Sequence, residues 1–299
     1  MPNITINGIQ IEYETFGNPS DRPLLLVWGI WGQMIMWDEG LCRDLASRGH
    51  YVIRYDNRDV GLSSKFDKGG ITDIMGIMGK ILSGDKSSVP YTIEDMADDG
   101  AGLLDALGIP CAHICGISMG GIIAQTIALR HPSQVLSLTS IFSTTSNPKL
   151  PQPKPEILSA FFTPLPADRS AFIEGTVGKF KMVVGSRFPF DEEWFRGKVA
   201  ASYDRCFYQQ GMGRHVLALL AQNDRKEALA SIKVPALVIH GTEDPLFSVE
   251  AGKETAAVIP GAQLLLLEGV GHDVVTYGGA WPQIVEAITA HTLKATNNK

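Results

Sequence analysis

The sequence feature that most constrains this chain is a G-x-S-x-G motif at residues 116–120, centred on Ser118. A short apolar run precedes the motif, and an apolar segment that ends at His131-Pro132 follows it. This context predicts a strand, a sharp turn and a helix, in which the flanking glycines let crowded backbones pass. The new helix would direct free N–H groups and the positive end of its dipole at the serine hydroxyl. A glycine-flanked serine in an ordinary tight turn is the alternative, and the strand and helix around it favour a nucleophile elbow.

The composition limits the classes of protein to consider. The chain has 299 residues, 44% of them hydrophobic and 19% charged, which is typical of a soluble globular enzyme with a sizeable core. The net charge of −6, without a basic run, argues against a nucleic-acid partner. No apolar stretch has the length of a membrane span, and the N-terminus lacks the pattern of a signal peptide. Four cysteines without metal-like spacing agree with a reduced, cytoplasmic protein.

The order of the predicted elements indicates an α/β fold. Alternating apolar residues flank Asn7-Gly8, which predicts an antiparallel hairpin at the N-terminus. Beyond the hairpin, apolar runs typical of buried strands alternate with helical segments, which predicts a mostly parallel sheet with right-handed crossovers. These runs lie at residues 24–27, 51–55, 112–115, 135–142, 234–240 and 262–267. The loops that follow the strands are expected to form the functional site.

A helical insertion interrupts this alternation. Four prolines between residues 148 and 155 predict a stiff loop, and the following stretch is helical, rich in aromatic residues and without a strand-like run. We therefore expect a core formed by residues 1–147 and 228–299, and a helical cap at residues 148–227. A methionine-rich segment with helical spacing at residues 74–82 has three open interpretations: a lid, a dimer contact or ordinary packing.

Two further strand ends supply the partners that a serine nucleophile needs. A serine requires a base, and the base requires an orienting carboxylate. His272 follows the last predicted strand within a glycine-rich loop, and Asp244 follows the strand before it. Glu243 is the rival acid, but the Asp244-Pro245 junction is turn-forming and favours Asp244. The resulting chain order is serine, acid, histidine.

These motifs resemble those of the α/β-hydrolase-fold serine hydrolases over essentially the whole chain. Residues 54–63 and 116–120 are similar to the corresponding motifs of aclacinomycin methylesterase-like esterases. The resemblance implies that Gly-Thr-x-Asp carries the acid at Asp244 and Gly-x-Gly-His carries the base at His272. It implies little about the substrate, because the pocket residues lie in the variable cap.

An oxyanion hole requires two backbone N–H groups aimed at the developing negative charge. Met119, directly after the nucleophile, is expected to supply one. By position Ile30 supplies the other, with Trp31 as the fallback. The superfamily usually has His-Gly at the start of this loop, whereas this chain has Trp28-Gly29. The donor is a backbone group, so replacing the histidine by Trp28 does not remove it. The sequence does not indicate which residues brace the loop in place of the histidine.

Apolar side chains beside the oxyanion loop are candidates for the substrate pocket, since such pockets are mostly apolar. The candidates are Trp28, Trp31 and Met34, although about half of such residues should belong to the core. The polar turn at Asp56 and Arg58 could bind a ligand, but a structural turn tied by hydrogen bonds and a salt bridge is the favoured interpretation.

The sequence as a whole predicts a serine carboxylesterase that acts on a small-molecule ester through an acyl-enzyme on Ser118. A C–C bond hydrolase, a lactonase and a cofactor-free perhydrolase remain open on the same residues. A non-catalytic ligand receptor of this fold is the alternative from a different class. No metal or organic cofactor is implied, because H-E-x-x-H, a Walker loop and G-x-G-x-x-G after a strand are all missing from the sequence. The sequence does not indicate the oligomeric state.

Overall fold

The computed structural model describes residues 2–67, 73–273 and 279–297. Within these ranges an eight-stranded sheet runs in the order β1-β2-β4-β3-β5-β6-β7-β8. β1 and β2 pair antiparallel, β2 is antiparallel to β4, and the remaining neighbours are parallel. The strands are Asn3–Ile6, Ile9–Phe16, Arg22–Val27, His50–Tyr55, Ala112–Ile117, Val135–Ile141, Ala236–Gly241 and Gln263–Leu267. The predicted α/β fold with a mostly parallel sheet is confirmed.

The N-terminal hairpin forms where Asn-Gly predicted it. Asn7 and Gly8, between β1 and β2, have φ values of 46° and 78°. Two positive φ angles in a two-residue loop match the right-handed twist of the strands, and asparagine and glycine tolerate them best.

The described part of the chain contains eleven α-helices. They are α1 Glu39–Ser47, α2 Ile74–Leu82, α3 Ile93–Ala106, α4 Met119–Arg130, α5 Pro155–Phe162, α6 Arg169–Lys181, α7 Glu192–Arg205, α8 Gln209–Ala221, α9 Lys226–Leu229, α10 Val249–Val258 and α11 Trp281–Asn297. At the end of α11, Ala295 is buried and the Thr296 hydroxyl donates to the Thr292 carbonyl. The helix thus reaches Asn297, and residues 298 and 299 lie outside the described residues. No described helix has both the length and the apolar character needed to cross a membrane.

The sheet is covered on both faces. Leu24 and Leu26 of β3 pack in one hydrophobic cluster with residues of α1 and α11. Leu25 and Val27, which point the other way, pack in a second cluster with residues of α3 and α4. Burial on both faces explains why this strand is continuously apolar rather than alternating.

Helices α5 to α9 all lie in the chain between β6 and β7. Residues of α6 and α7, among them Ile173, Val177 and Phe195, join the same cluster as α1 and α11. The helices of the insertion are thus packed onto the core rather than detached from it.

One face of α2 is packed and the other is exposed. Ile81 is buried in a cluster with Leu217 and Ala221 of α8. Met75 and Leu82 are 74% and 75% exposed. Packing therefore accounts for the inner face of this helix, while a lid or a dimer contact on its outer face stays a prediction.

Candidate active site

Ser118 occupies a sharp turn between β5 and α4. Its φ of 57° and ψ of −124° belong to a region that residues with a side chain rarely adopt, and its N–H donates to the Ile141 carbonyl at 2.8 Å. The flanking glycines make this turn possible. A Cβ on Gly116 would lie 2.0 Å from the Gly120 carbonyl oxygen, and a Cβ on Gly120 would lie 2.1 Å from that of Val27. Any side chain at either position would force the turn to open.

The loop after β3 lies against this serine. A Cβ on Gly29 would stand 3.1 Å from the Cβ of Ser118, so only a glycine lets the loop come this close without a shift. On the other side, Met119 begins α4, and the Ser118 carbonyl accepts the N–H groups of Gly121 and Ile122. Two backbone segments, one at Gly29 and one at Met119, therefore border the serine.

Trp31, the fallback donor for the oxyanion hole, has its N–H engaged elsewhere. The backbone N–H points at Nδ1 of His215, 3.4 Å away. The indole N–H of Trp31 donates to the Met212 carbonyl at 3.1 Å. His215 and Met212 both belong to α8. The backbone N–H of Trp31 is thus directed at the insertion, which leaves Ile30 as the better candidate of the two.

His215 is a residue that sequence reasoning missed. It is fully buried, and burial lowers the pKa of His215 to about 4, so its imidazole is neutral near pH 7. Nε2 lies 2.8 Å from the Arg58 carbonyl oxygen, which assigns the proton to Nε2 and leaves Nδ1 as an acceptor for Trp31. This histidine braces the loop that begins at Trp28-Gly29. No motif surrounds it, and it lies 184 residues from Trp31 in the chain, so the sequence carried no signal for this role.

The predicted acid and base are in contact. Nδ1 of His272, after β8, lies 2.7 Å from Oδ2 of Asp244, after β7. Oδ1 of Asp244 accepts the N–H groups of Leu246 and Phe247 at 2.8 and 2.9 Å. The carboxylate is thereby held by its own turn and faces the imidazole, an arrangement that fixes the tautomer of a general base.

Glu243, the rival acid, points elsewhere. Both of its carboxylate oxygens accept hydrogen bonds from Ser186, one from the N–H and one from Oγ, each at 2.8 Å. His240 lies behind the acid instead, with Nε2 at 2.7 Å from the Phe247 carbonyl oxygen and 3.6 Å from Asp244. Burial lowers the pKa of His240, which favours its neutral form beside Asp244.

Aromatic side chains enclose the imidazole of His272. The rings of Phe142 and Phe247 lie 5.9 and 5.7 Å from it, centroid to centroid, and His272 itself is 8% exposed. Limiting the access of water strengthens the electrostatic interaction between imidazole and carboxylate.

The three pocket candidates have different surroundings. Met34 is fully buried and Trp28 is 7% exposed and packs edge-on against Trp37. Trp31 is half-buried, stacks on Phe161 and borders a cavity of about 50 Å³. This cavity is lined mainly by aromatic residues of the insertion and the Asp59–Gly61 turn, including Phe172, Tyr203, Phe207 and Tyr208. Neither Ser118 nor His272 lines it, and the pocket role of all three candidates stays a prediction.

The polar turn after β4 is structural, as favoured above. Asp56 accepts the Met34 N–H and pairs with Arg205 of α7, both at 2.7 Å. Arg58 pairs with Asp99 of α3 at 2.6 Å. These buried bonds tie the turn to the loop that follows β3, to the insertion and to the core. Across residues 2–67, 73–273 and 279–297, no group of three or more His, Cys, Asp or Glu side chains is arranged to hold a metal ion.

The fold and this site together define the class of protein. The sequence profile of the alpha/beta hydrolase fold matches residues 22–278, which is most of the chain. The chain therefore belongs to the α/β-hydrolase family, and the predicted family and hydrolase class are confirmed.

Full-length relatives within the family act on esters and lactones. The chain is 29% identical to rhodomycin D methylesterase from Streptomyces sp. strain C5, with 98% of each chain covered. It is 26% identical to 3-oxoadipate enol-lactonase 2 from Acinetobacter baylyi, with 95% of each covered.

Solved structures of the same fold superpose along the whole chain. An enol-lactonase from Burkholderia xenovorans has a TM-score of 0.70 at 20% identity, covering 99% of this chain and 100% of its own. An esterase from Thermogutta terrifontis has a TM-score of 0.71 at 21% identity and covers 99% of both chains. At this level of identity the likeness concerns the fold.

Proposed function

We propose that this protein is a serine carboxylesterase with Ser118 as nucleophile, His272 as base and Asp244 as the orienting acid. The observation that supports this most directly is the 2.7 Å contact between His272 and Asp244, at the same sheet edge as the strained turn of Ser118. The two full-length methylesterase and lactonase relatives support ester chemistry.

The proposed reaction follows from these positions. Ser118 Oγ attacks the ester carbonyl carbon while Nε2 of His272 accepts its proton, and the Ile30 and Met119 N–H groups stabilise the oxyanion. Collapse of the tetrahedral intermediate expels the alcohol, which takes the proton from His272. Water activated by the same histidine then attacks the acyl-enzyme and releases the acid.

We further propose that residues 148–227 form a cap over the core at residues 1–147 and 228–299. Trp31 supports this division of roles, because its side chain contacts α5 and α8 while its backbone belongs to the core loop beside Ser118. Residues of the cap and the half-buried Trp31 then form the walls against which the substrate packs.

The substrate is proposed to be a methyl ester of a bulky acid, in line with the methylesterase relative. Lactone hydrolysis is the second candidate, supported by the enol-lactonase relative. Rates on p-nitrophenyl esters of increasing chain length, on a methyl ester of a bulky aromatic acid and on γ-lactones distinguish them. A preference for short acyl chains would contradict the proposed bulky acid.

We propose a cytoplasmic protein without a nucleic-acid partner. The four free cysteines and the net charge of −6 support this proposal.

Replacing the nucleophile tests the enzyme assignment. Ser118→Ala should lower ester hydrolysis by about 10⁶-fold and abolish labelling by a fluorophosphonate, because it removes the hydroxyl that the proposed mechanism uses as the nucleophile. Ser231→Ala, in the exposed turn after α9, is the matched control and should behave like the wild type. Normal p-nitrophenyl ester hydrolysis by Ser118→Ala would refute the assignment. A wild-type protein that takes up no label would favour the ligand receptor instead.

A further inference from the structure

We propose that a segment of the insertion, residues 183–187 between α6 and α7, positions the catalytic histidine. We call it the clamp segment. Its positioning residues are Gly185 and Ser186, with Glu243 of the core as their partner. The inference rests on the proposed function, because it assigns the clamp segment a role in the turnover of Ser118 and His272.

Backbone hydrogen bonds join the clamp segment to the loop that carries the base. The N–H of His272 donates to the Val183 carbonyl at 2.8 Å, and the N–H of Arg187 donates to the Gly269 carbonyl at 2.8 Å. The two bonds bracket the loop on either side of Val270 and Gly271. The backbone of His272 is therefore fixed by the insertion, while its side chain is fixed by Asp244.

Contacts between glycines allow this approach. A Cβ on Gly185 would lie 2.2 Å from the Gly269 carbonyl oxygen and 2.4 Å from the N of Gly271. A Cβ on Gly271 would lie 2.1 Å from the Val183 carbonyl oxygen. These atoms all belong to backbones, so a side chain at either glycine would have to push the two segments apart. A backbone-to-backbone fit of this kind transmits a displacement of one segment directly to the other.

Glu243 ties the clamp segment to the acid. It accepts two hydrogen bonds from Ser186, and its own N–H donates to the Val270 carbonyl at 2.9 Å. Asp244 follows it directly in the chain. The turn at residues 243–244 thus carries the orienting acid and contacts both the loop of the base and the clamp segment. Glu243 was the rival candidate for the acid. Its role here is a different one, which is to link the clamp segment to the turn that carries Asp244.

The far end of the clamp segment is anchored in an apolar cluster. Val183 is fully buried with Ile157 and Phe161 of α5. The half-buried Trp31 of the loop after β3 and Leu246 of the turn that carries Asp244 pack against the same cluster. The clamp segment is therefore held by the insertion at one end and by Glu243 near the other.

Substitution of Gly185 tests the inference. Gly185→Ala should displace the loop of His272 and lower kcat by about 10²-fold per active site, the effect of a misplacement of about 1 Å, with a smaller change in KM. Active sites are counted by fluorophosphonate titration, so that loss of folded protein does not enter kcat. Gly178→Ala, in α6 of the same insertion, is the matched control, because a Cβ there meets nothing within 4 Å. It should retain wild-type kcat and KM.

The Ser186–Glu243 pair provides a second test, which can be carried out even if Gly185→Ala does not fold. Ser186→Ala removes the hydrogen bond from Oγ, and Glu243→Gln removes one of the two accepting oxygens. Each should lower kcat per active site by about 3- to 10-fold. Ser186→Thr retains the hydroxyl and should restore kcat to within about twofold of the wild type, which a merely structural loss would not do. Wild-type kcat per active site in both Ser186→Ala and Glu243→Gln would overturn the inference.

The same assays separate this inference from the proposed function. If Ser118→Ala is inactive while the variants of the clamp segment match the wild type, the serine mechanism stands and the positioning role falls. If Ser118→Ala retains activity, the proposed function falls, and the role of the clamp segment falls with it.

Discussion

Ser118 is held in a strained backbone conformation between two glycines, Gly116 and Gly120. Its φ of 57° persists because the crossing backbones at Gly116 and Gly120 leave no space for a relaxed turn. The turn places Ser118 at the end of β5, beside the loop that begins at Trp28. The G-x-S-x-G motif predicted this turn correctly because each of its requirements is local to a few residues.

Gly120→Ala should destabilise the fold. Its new Cβ would lie 2.1 Å from the Val27 carbonyl oxygen, so we expect the free energy of unfolding to fall by about 1–3 kcal/mol or more. Urea denaturation measures the change. Gly79→Ala is the control, since a Cβ there meets nothing within 4 Å and the helix α2 should gain up to about 1 kcal/mol. Equal effects of the two substitutions would contradict the steric argument.

One substitution at Asp244 and one at Glu243 test which of the two is the acid. Asp244→Asn keeps the size of the side chain but stabilises the wrong tautomer of His272, so kcat should fall by about 10⁴-fold with the fold intact. Glu243→Gln should cost no more than about 10-fold, because that carboxylate bonds to Ser186. Steady-state kinetics on a p-nitrophenyl ester compares them, and a reversed order would make Glu243 the acid.

At the scale of elements, the sequence predicts the features that a few adjacent residues specify. It gives no signal for the contacts between residues far apart in the chain. The hairpin at Asn7, the capping box at Thr92 and Asp95, and the strand ends at Asp244 and His272 are each specified by a few adjacent residues. The bracing of Trp31 by His215 and of His272 by Val183 joins residues far apart in the chain. Neither contact follows from periodicity or motif, because both depend on how the insertion packs on the core.

The methionine-rich helix α2 allows a test of its packing. Ile81→Ala removes a buried side chain from the contact with Leu217 and should lower the free energy of unfolding by about 2–4 kcal/mol. Met75→Ala removes a side chain that is 74% exposed and should change it by less than about 0.5 kcal/mol. Chemical denaturation of both variants gives the comparison. A large loss in Met75→Ala would instead indicate that the outer face is covered in solution.

At the scale of the whole molecule, buried histidines make stability depend on pH. Burial lowers the pKa of His50, His215, His240 and His291, and that of His215 falls from 6.5 to about 4. Between these two pH values the unfolded chain binds a proton at residue 215 that the folded chain does not. The contribution of His215 is therefore fully present above pH 6.5 and is lost as the pH falls towards about 4.

Denaturation between pH 7 and pH 4 measures this dependence. His215 alone should account for a loss of about 3 kcal/mol in the free energy of unfolding at the acidic end. His215→Gln cannot titrate, so this variant should be less stable at pH 7 yet show a smaller decrease towards pH 4. A decrease as large as that of the wild type would show that His215 does not contribute to the acid sensitivity.

The contact between Val183 and the backbone of His272 also limits how this enzyme can be engineered. In the proposed function, the walls of the pocket and the support of the base both belong to the insertion, so a chimera that exchanges residues 148–227 for those of a relative should change selectivity and turnover together. Crossover points that leave residues 183–187 in place, with the exchange confined to the helices on either side, would separate the two properties. Libraries built in that way should contain more active members than libraries of whole-insertion exchanges.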